Sequence, residues 1–358
     1  MKNKSHPYKK LSDKAFWTRS VAKLVYSEID PVGVFNLKIT PETKVSTAGS
    51  CFAQHIARHL RNSGFKYYVV EDGHSIIPVS IKEKYHYGVF SARYGNIYTS
   101  RQLLQLLYRA YGRFIPIEDV WIESDGAVID PYRPTVEPNG FISVAEMYAD
   151  RAQHLAAVRK MFETLDVFVF TLGLTECWMS NIDGAVFPLC PGVEGGQFDS
   201  ERHIFHNLDV SEVVGDMSEF VLELHKLNPS AQLVLTVSPV PLMATAEPGD
   251  HVLSATTYSK SVLRVAAECL RKKFENVHYF PSFEIITGNF SRGQYYGQDL
   301  RSVTEEGVSH VMHQFLKHAT CETMIKRIPE TNVENLDVYL NGVQAIVDVE
   351  CDESSLDK

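Results

Sequence analysis

The stretch STAGSCFAQHIARHL, Ser46 to Leu60, sets a Gly-Ser turn between a β-like run and a helix-like run. Lys44 to Thr47 read as the end of a short strand, and Ile56, Ala57 and Leu60 recur at helical spacing. Strand, turn and helix in that order open an α/β fold. Ser50, at the turn, admits two readings. A Ser in front of a helix is most often its N-cap. The same place also sets a hydroxyl beside the free N–H groups of the first turn, where donors and helix dipole favour an anionic intermediate of acyl transfer.

Working outward, FKYYVV (65–70) predicts the next strand and SRQLLQLLYRAYG (100–112) a helix capped by Ser100 and closed by Gly112. Between 114 and 141 the chain turns rich in Trp, Asp, Pro and Gly, which predicts an inserted hairpin. A helix is predicted over 144–165. It runs into DVFVFTLGLTECW, whose unbroken apolar run 167–172 suits a strand buried on both faces, and hence a parallel sheet. Residues 181–207 predict a second irregular excursion. Helix 210–227, strand AQLVLTVSPVPL, helix 257–273, a last strand in VHYFPSFEII and a final helix from near Thr304 complete the pattern. This is a doubly wound α/β chain, mostly parallel, whose site lies at the carboxyl ends of the strands. Residues 1–43 are expected to be an N-terminal arm, 44–318 the domain, and 319–358 a C-terminal extension with a frayed acidic tail, DVECDESSLDK.

The 358 residues are 44% hydrophobic, enough for a sizeable core. A net charge of -9 with scattered Lys and Arg argues against nucleic acid as a partner. No apolar run is long enough for a membrane span, and the basic N-terminus lacks the apolar stretch of a secretory signal, so the chain reads as cytoplasmic. Six cysteines lie far apart without a CxxC pair, which predicts reduced thiols. His55 and His59 stand four apart but without the Glu of HExxH. Neither a metal nor a cofactor is expected.

GSCFA (49–53) resembles the signature of the GSCFA family, a branch of the SGNH hydrolase superfamily related to the PC-esterases; FSARYGNIYT, TLGLTE, TVSPVPL and TYSKSVLR are similar to further blocks of it. The resemblance implies a flavodoxin-like three-layer α/β/α fold with irregular insertions and a Ser nucleophile in the first block. It also implies an oxyanion hole shared among the first three blocks and a catalytic Asp and His near the C-terminus. Carried over, the nucleophile is Ser50, and the second block offers the Gly95 backbone N–H or the Asn96 amide as donors. The third block departs: Gly173-Leu174-Thr175-Glu176 stands where Gly-x-Asn-Asp is usual, so Thr175 replaces the Asn donor, and Glu176 opposes an oxyanion or orients a histidine. The last block keeps Asp299, Thr304 and Gly307 but has Ser302 at the His position.

A base must then come from elsewhere. His251, in the loop after SPVPL, is the first candidate, ahead of His154, His310 and His55. Asp299 and Arg301 could clamp an anionic or sugar-like group, and Trp121, Tyr132 and Trp178 could stack on sugar rings or pack in the core. The expected function is a serine esterase or O-acyltransferase that moves an acetyl or other acyl group at a hydroxyl, with a small-molecule or carbohydrate ester as its partner. The alternative is a non-catalytic glycan- or metabolite-binding protein that has lost the His. Cys51 as nucleophile is a third reading.

Overall fold

A computed structural model describes residues 6–320 and Leu356, apart from the side chains of Cys51 and Asn62. Four parallel strands form the central sheet: β1 (Val45–Gly49), β4 (Val167–Leu172), β8 (Gln232–Val237) and β9 (Val277–Tyr279), in the order β1-β4-β8-β9. Tyr67 adds a single parallel bridge to Val45 on the free side of β1. Counted as a position, that bridge makes the order flavodoxin-like, 2-1-3-4-5. The expected strand over 65–70 is thus reduced to one bridge. Past it the chain turns away, and the Val70 N–H donates to the Ser91 carbonyl instead of to β1.

Helices α1 (Cys51–Asn62), α2 (Val79–Lys84), α3 (Ser100–Ala110), α4 (Val144–Thr164), α5 (Val210–Leu227), α6 (Val252–Lys273), α7 (Ser282–Thr287) and α8 (Glu305–Ala319) complete the layers. Every residue of β4 is buried, and its alternation assigns the two faces. Phe168, Phe170 and Leu172 pack with Leu233 and Leu235 under α3, α4, α5 and α6. Val167 and Val169 pack with Phe52, Ile56, Val311 and Phe315 from α1 and α8. The result is three layers, α/β/α. Residues Val32, Phe35, Leu37 and Ile39 of the N-terminal arm are buried in that second core.

Several boundaries differ from the sequence reading. Thr99, not Ser100, caps α3, because its side chain accepts from Gln102 N while Gln102 reaches back in a capping box. The region read as a second irregular excursion contributes β6 (Val186–Phe187) and β7 (His203–Asn207), which flank β5 (Glu176–Ser180) in an antiparallel sheet beyond the end of β4. The hairpin before α4 is present as β2 (Trp121–Ile122) and β3 (Val128–Ile129). The last strand stops at Tyr279, and SFEIIT forms α7. Helix α6 starts five residues earlier than expected, which makes His251 its N-cap rather than a loop residue.

No described helix is long and apolar enough to cross a membrane. Cys177, Cys190 and Cys269 are free thiols. The Cys51 side chain, Cys321, Cys351 and nearly all of the C-terminal extension lie outside the described residues.

Candidate active site

Gly49 ends β1 opposite Thr171 of β4. Its φ of 142°, and the 2.5 Å that would separate a Cβ from the Thr171 carbonyl oxygen, demand glycine. The chain then turns into α1 with Ser50 at the N-cap position, φ -75° and ψ -179°. Its side chain makes no capping bond. Ser50 is 5% exposed, and its Oγ has no hydrogen-bond partner among the described residues. A buried hydroxyl left so costs about 1–3 kcal/mol, and the first-turn N–H groups it could have taken lie beside it.

The second and third blocks close on this point. The Ile97 N–H donates to the Gly49 carbonyl (2.9 Å), and the Gly173 and Leu174 N–H groups both donate to the Tyr98 carbonyl (3.0 Å each). A Cβ on Gly173 would lie 3.0 Å from that carbonyl oxygen and 3.4 Å from Ser50 Cβ. Glycine here lets three segments meet around Ser50. Gly95 takes a left-handed φ of 68° in the same loop, and Asn96, 4% exposed, accepts through its carbonyl from Gln102 Nε2 (3.5 Å). The structure thus brings together Ser50, the Gly95-Asn96 loop and Gly173.

Thr175 and Glu176 are otherwise engaged. Thr175 Oγ1 gives its one proton to Asn207 Oδ1 (2.7 Å), which corrects its expected part as an oxyanion donor. The Glu176 carboxylate accepts from Thr245 Oγ1 (2.7 Å) and Ala246 N (3.2 Å), and no described histidine bonds to it. Burial raises its pKa, opposed by the Thr245 hydroxyl.

In the last block, Asp299 accepts from Ser302 Oγ (2.5 Å) and from the Arg301 and Ser302 N–H groups. Burial would raise its pKa, but the Ser302 hydroxyl and these N–H groups bring it below the usual value. Arg301 Nε donates to the Pro241 carbonyl (3.2 Å). Asp299 thus sits in a local turn, and Arg301 ties that turn to the SPVPL loop.

His251 is exposed, and its Nδ1 accepts from Leu253 N (3.1 Å). Helix α6 meets the site farther along, where Ser259 Oγ accepts from Thr175 N (3.0 Å) and Lys260 Nζ donates to the Gly173 carbonyl (2.7 Å). His251 precedes Ser259 by eight residues, about 12 Å along the axis, and makes no described contact with Ser50. The three other candidate histidines have partners of their own. His55 bonds Arg58 (2.8 Å), and burial followed by the Arg58 charge depresses its pKa to about 3. His154 bonds Glu71 (2.8 Å), and His310 lies between Tyr295 (2.6 Å) and the Ile29 carbonyl (2.9 Å).

Sequence reasoning missed Lys260 as a site neighbour. Its signal is a lysine on the buried face of α6 beside Ser259 and Leu263. Of the three aromatics, Trp121 and Tyr132 pack in the core around Phe187, while Trp178 lines a cavity beside the site. No group of three or more His, Cys, Asp or Glu side chains placed to hold a metal occurs among the described residues.

A model of the GSCFA family matches residues 44–315, about three quarters of the sequence. The chain belongs to the GSCFA family. No curated protein matches it in sequence. Two solved structures are similar to this GSCFA protein at low identity. One is a carbohydrate esterase family 2 enzyme with a carbohydrate-binding domain from Corynascus thermopiles (Myceliophthora fergusii): 11% identical, covering 80% of this chain and 67% of that one, with a TM-score of 0.27. The other is the acetyl xylan esterase Est2A of the rumen bacterium Butyrivibrio proteoclasticus: 15% identical, covering 70% of this chain and 56% of that one, with a TM-score of 0.23.

Proposed function

We propose that this GSCFA protein is a serine-dependent esterase or O-acyltransferase of the SGNH type, with Ser50 as nucleophile and an ester of a carbohydrate or related hydroxyl compound as substrate. The observation that carries the reading is the Ser50 hydroxyl, buried, without a partner, and placed where the end of β1 meets the first turn of α1. Ser50 Oγ attacks the ester carbonyl carbon, and the carbonyl oxygen gathers negative charge. The Ser50 and Gly95 N–H groups and the Asn96 amide are the donors assigned to it, aided by the α1 dipole. The carbon–oxygen bond to the alcohol breaks, the alcohol leaves with the proton, and the acyl-Ser50 ester passes its acyl group to water or to a second hydroxyl. Asp299 belongs to the site as the carboxylate of the last block. His251 enters as base only by giving up its contact with Leu253.

A fluorophosphonate tests the nucleophile. One probe per chain is expected on the wild type and none on Ser50→Ala; His251→Asn keeps a good cap and is expected to label at the wild-type rate. A labelling rate that falls tenfold or more in folded His251→Asn would return the base to that residue. Absence of label on the folded wild type would sink the nucleophile.

A second reading, binding without turnover, draws on one observation: Ser302 holds the Asp299 carboxylate where a histidine is usual. A serine does not take up a proton at neutral pH as imidazole does.

A further inference from the structure

A cavity of about 250 Å³ lies next to Gly173 in the fold, with Leu356 also in its lining and Ser50 just outside it. One wall carries Tyr98 and Leu174, the residues whose backbone bond helps close the chain around Gly173 and Ser50. Trp178 and Phe205 come from the antiparallel sheet, and Leu189 and Met243 from the loops after β6 and β8. The wall is rich in carbon. Two of the polar groups that reach it have partners: Gln102 Oε1 accepts from the Tyr98 and Thr99 N–H groups, and the Glu176 carboxylate accepts from Thr245 and Ala246. A sugar placed there would lose water and find few groups to replace it. An acetyl group would leave most of the space unfilled. A dry apolar cavity of about 150 Å³ takes a benzene ring, so this one takes roughly ten carbon atoms at the same filling.

We propose that this cavity is the acyl subsite, and that the ester carries a hydrocarbon or aromatic acyl group of about six to ten carbons, larger than acetyl. The inference rests on Ser50 as nucleophile. Each methylene withdrawn from water raises transition-state binding by up to about fourfold.

p-Nitrophenyl acetate, hexanoate and octanoate, with release of nitrophenolate as the readout, give the first test. The octanoate is expected to exceed the acetate in kcat/KM by at least about tenfold. Val193→Trp and Met243→Trp, at lining positions in the loops after β6 and β8, are each expected to lower the octanoate value about tenfold or more and to lower the acetate value several-fold less than that. The second test needs no turnover: Ser50→Ala is titrated with the apolar fluorophore 1-naphthylamine, whose ring system matches that size and whose binding is expected to persist there and to be lost in Val193→Trp. Turnover of acetate without chain-length preference, together with no fluorophore binding, would overturn the acyl subsite and leave Ser50 standing. Fluorophore binding that Val193→Trp abolishes, with no ester cleaved and no serine labelled, would overturn the acyl assignment through the nucleophile rather than through the cavity.

Discussion

Ser50 shows how a cap and a catalytic group separate once burial is known. A capping serine stabilises its helix, and Ser→Ala at such a place costs about 0.5–2 kcal/mol. The Ser50 hydroxyl caps nothing and is buried without a partner, so Ser50→Ala is expected to leave stability unchanged or raise it by about 1 kcal/mol. Urea denaturation of the two proteins decides, and a loss of 1 kcal/mol or more would return Ser50 to the capping role. Ser302 supports a second prediction at this scale. Its Oγ lies 2.5 Å from Asp299 Oδ2, so Ser302→His sets an imidazole next to a carboxylate that can orient it. Esterase turnover by Ser302→His is expected to exceed the wild type by about 10²–10⁴, the usual worth of a positioned base. No gain in a folded variant would show that position 302 does not face the nucleophile. Gly49 and the Ser302 substitution were legible in sequence, because a turn and a missing imidazole leave local marks. The idle Ser50 Oγ was not, since it depends on what Gly173 and Tyr98 leave around it.

Buried charges tie the first insertion to α4. Asp130, following β3, is fully buried between Arg133 (3.0 Å) and Arg151 of α4 (3.0 Å), and Arg133 also bonds Asp150 (2.8 Å). Burial would raise the Asp130 pKa, but the surrounding guanidinium groups hold it far below the carboxylate range. Removing one partner of such a set leaves buried charge uncompensated, so Asp130→Ala is expected to cost about 3–5 kcal/mol in a chemical melt. A cost under about 1 kcal/mol would mean that water reaches the arginines. Helix α6 shows how far a sequence reading carries at this scale. Its body is legible from apolar spacing, but the sequence reading starts it at Thr257, because the β-branched Val252 and Thr256 with Ser254 are weaker helix formers than the residues that follow. The His251 cap settles the start, and with it the distance between His251 and Ser50.

Across the whole molecule, Asp30 joins the N-terminal arm to α8. Its carboxylate meets His318 (2.9 Å) and Lys317 (3.0 Å) of α8, with Lys14 at 3.4 Å. Burial pushes its pKa up, but the His318 and Lys317 hydrogen bonds prevail and hold it at about 2. A pKa lowered by folding means that the stabilisation is complete above the unfolded value of about 3.9 and is lost as pH falls through about 2. Asp30→Asn is therefore expected to lower the melting temperature at pH 7, with the gap to wild type narrowing from about pH 4 downward. A gap that stays constant down to pH 2.5 would show that Asp30 acts through shape and not through charge.

The sequence by itself determined the parallel α/β architecture, since runs such as 167–172 have no stable place except a strand covered on both faces. It also marked Ser50 and the Ser302 departure, because chain order alone carries a turn and a residue identity. Only the tertiary structure decided what faces Ser50. Thr175 is spent on Asn207, Glu176 on Thr245, and His251 on its own helix, while an apolar cavity opens beside Leu174. Those outcomes depend on contacts between residues tens of positions apart in the chain, whose distances follow from how the layers pack and not from local propensity.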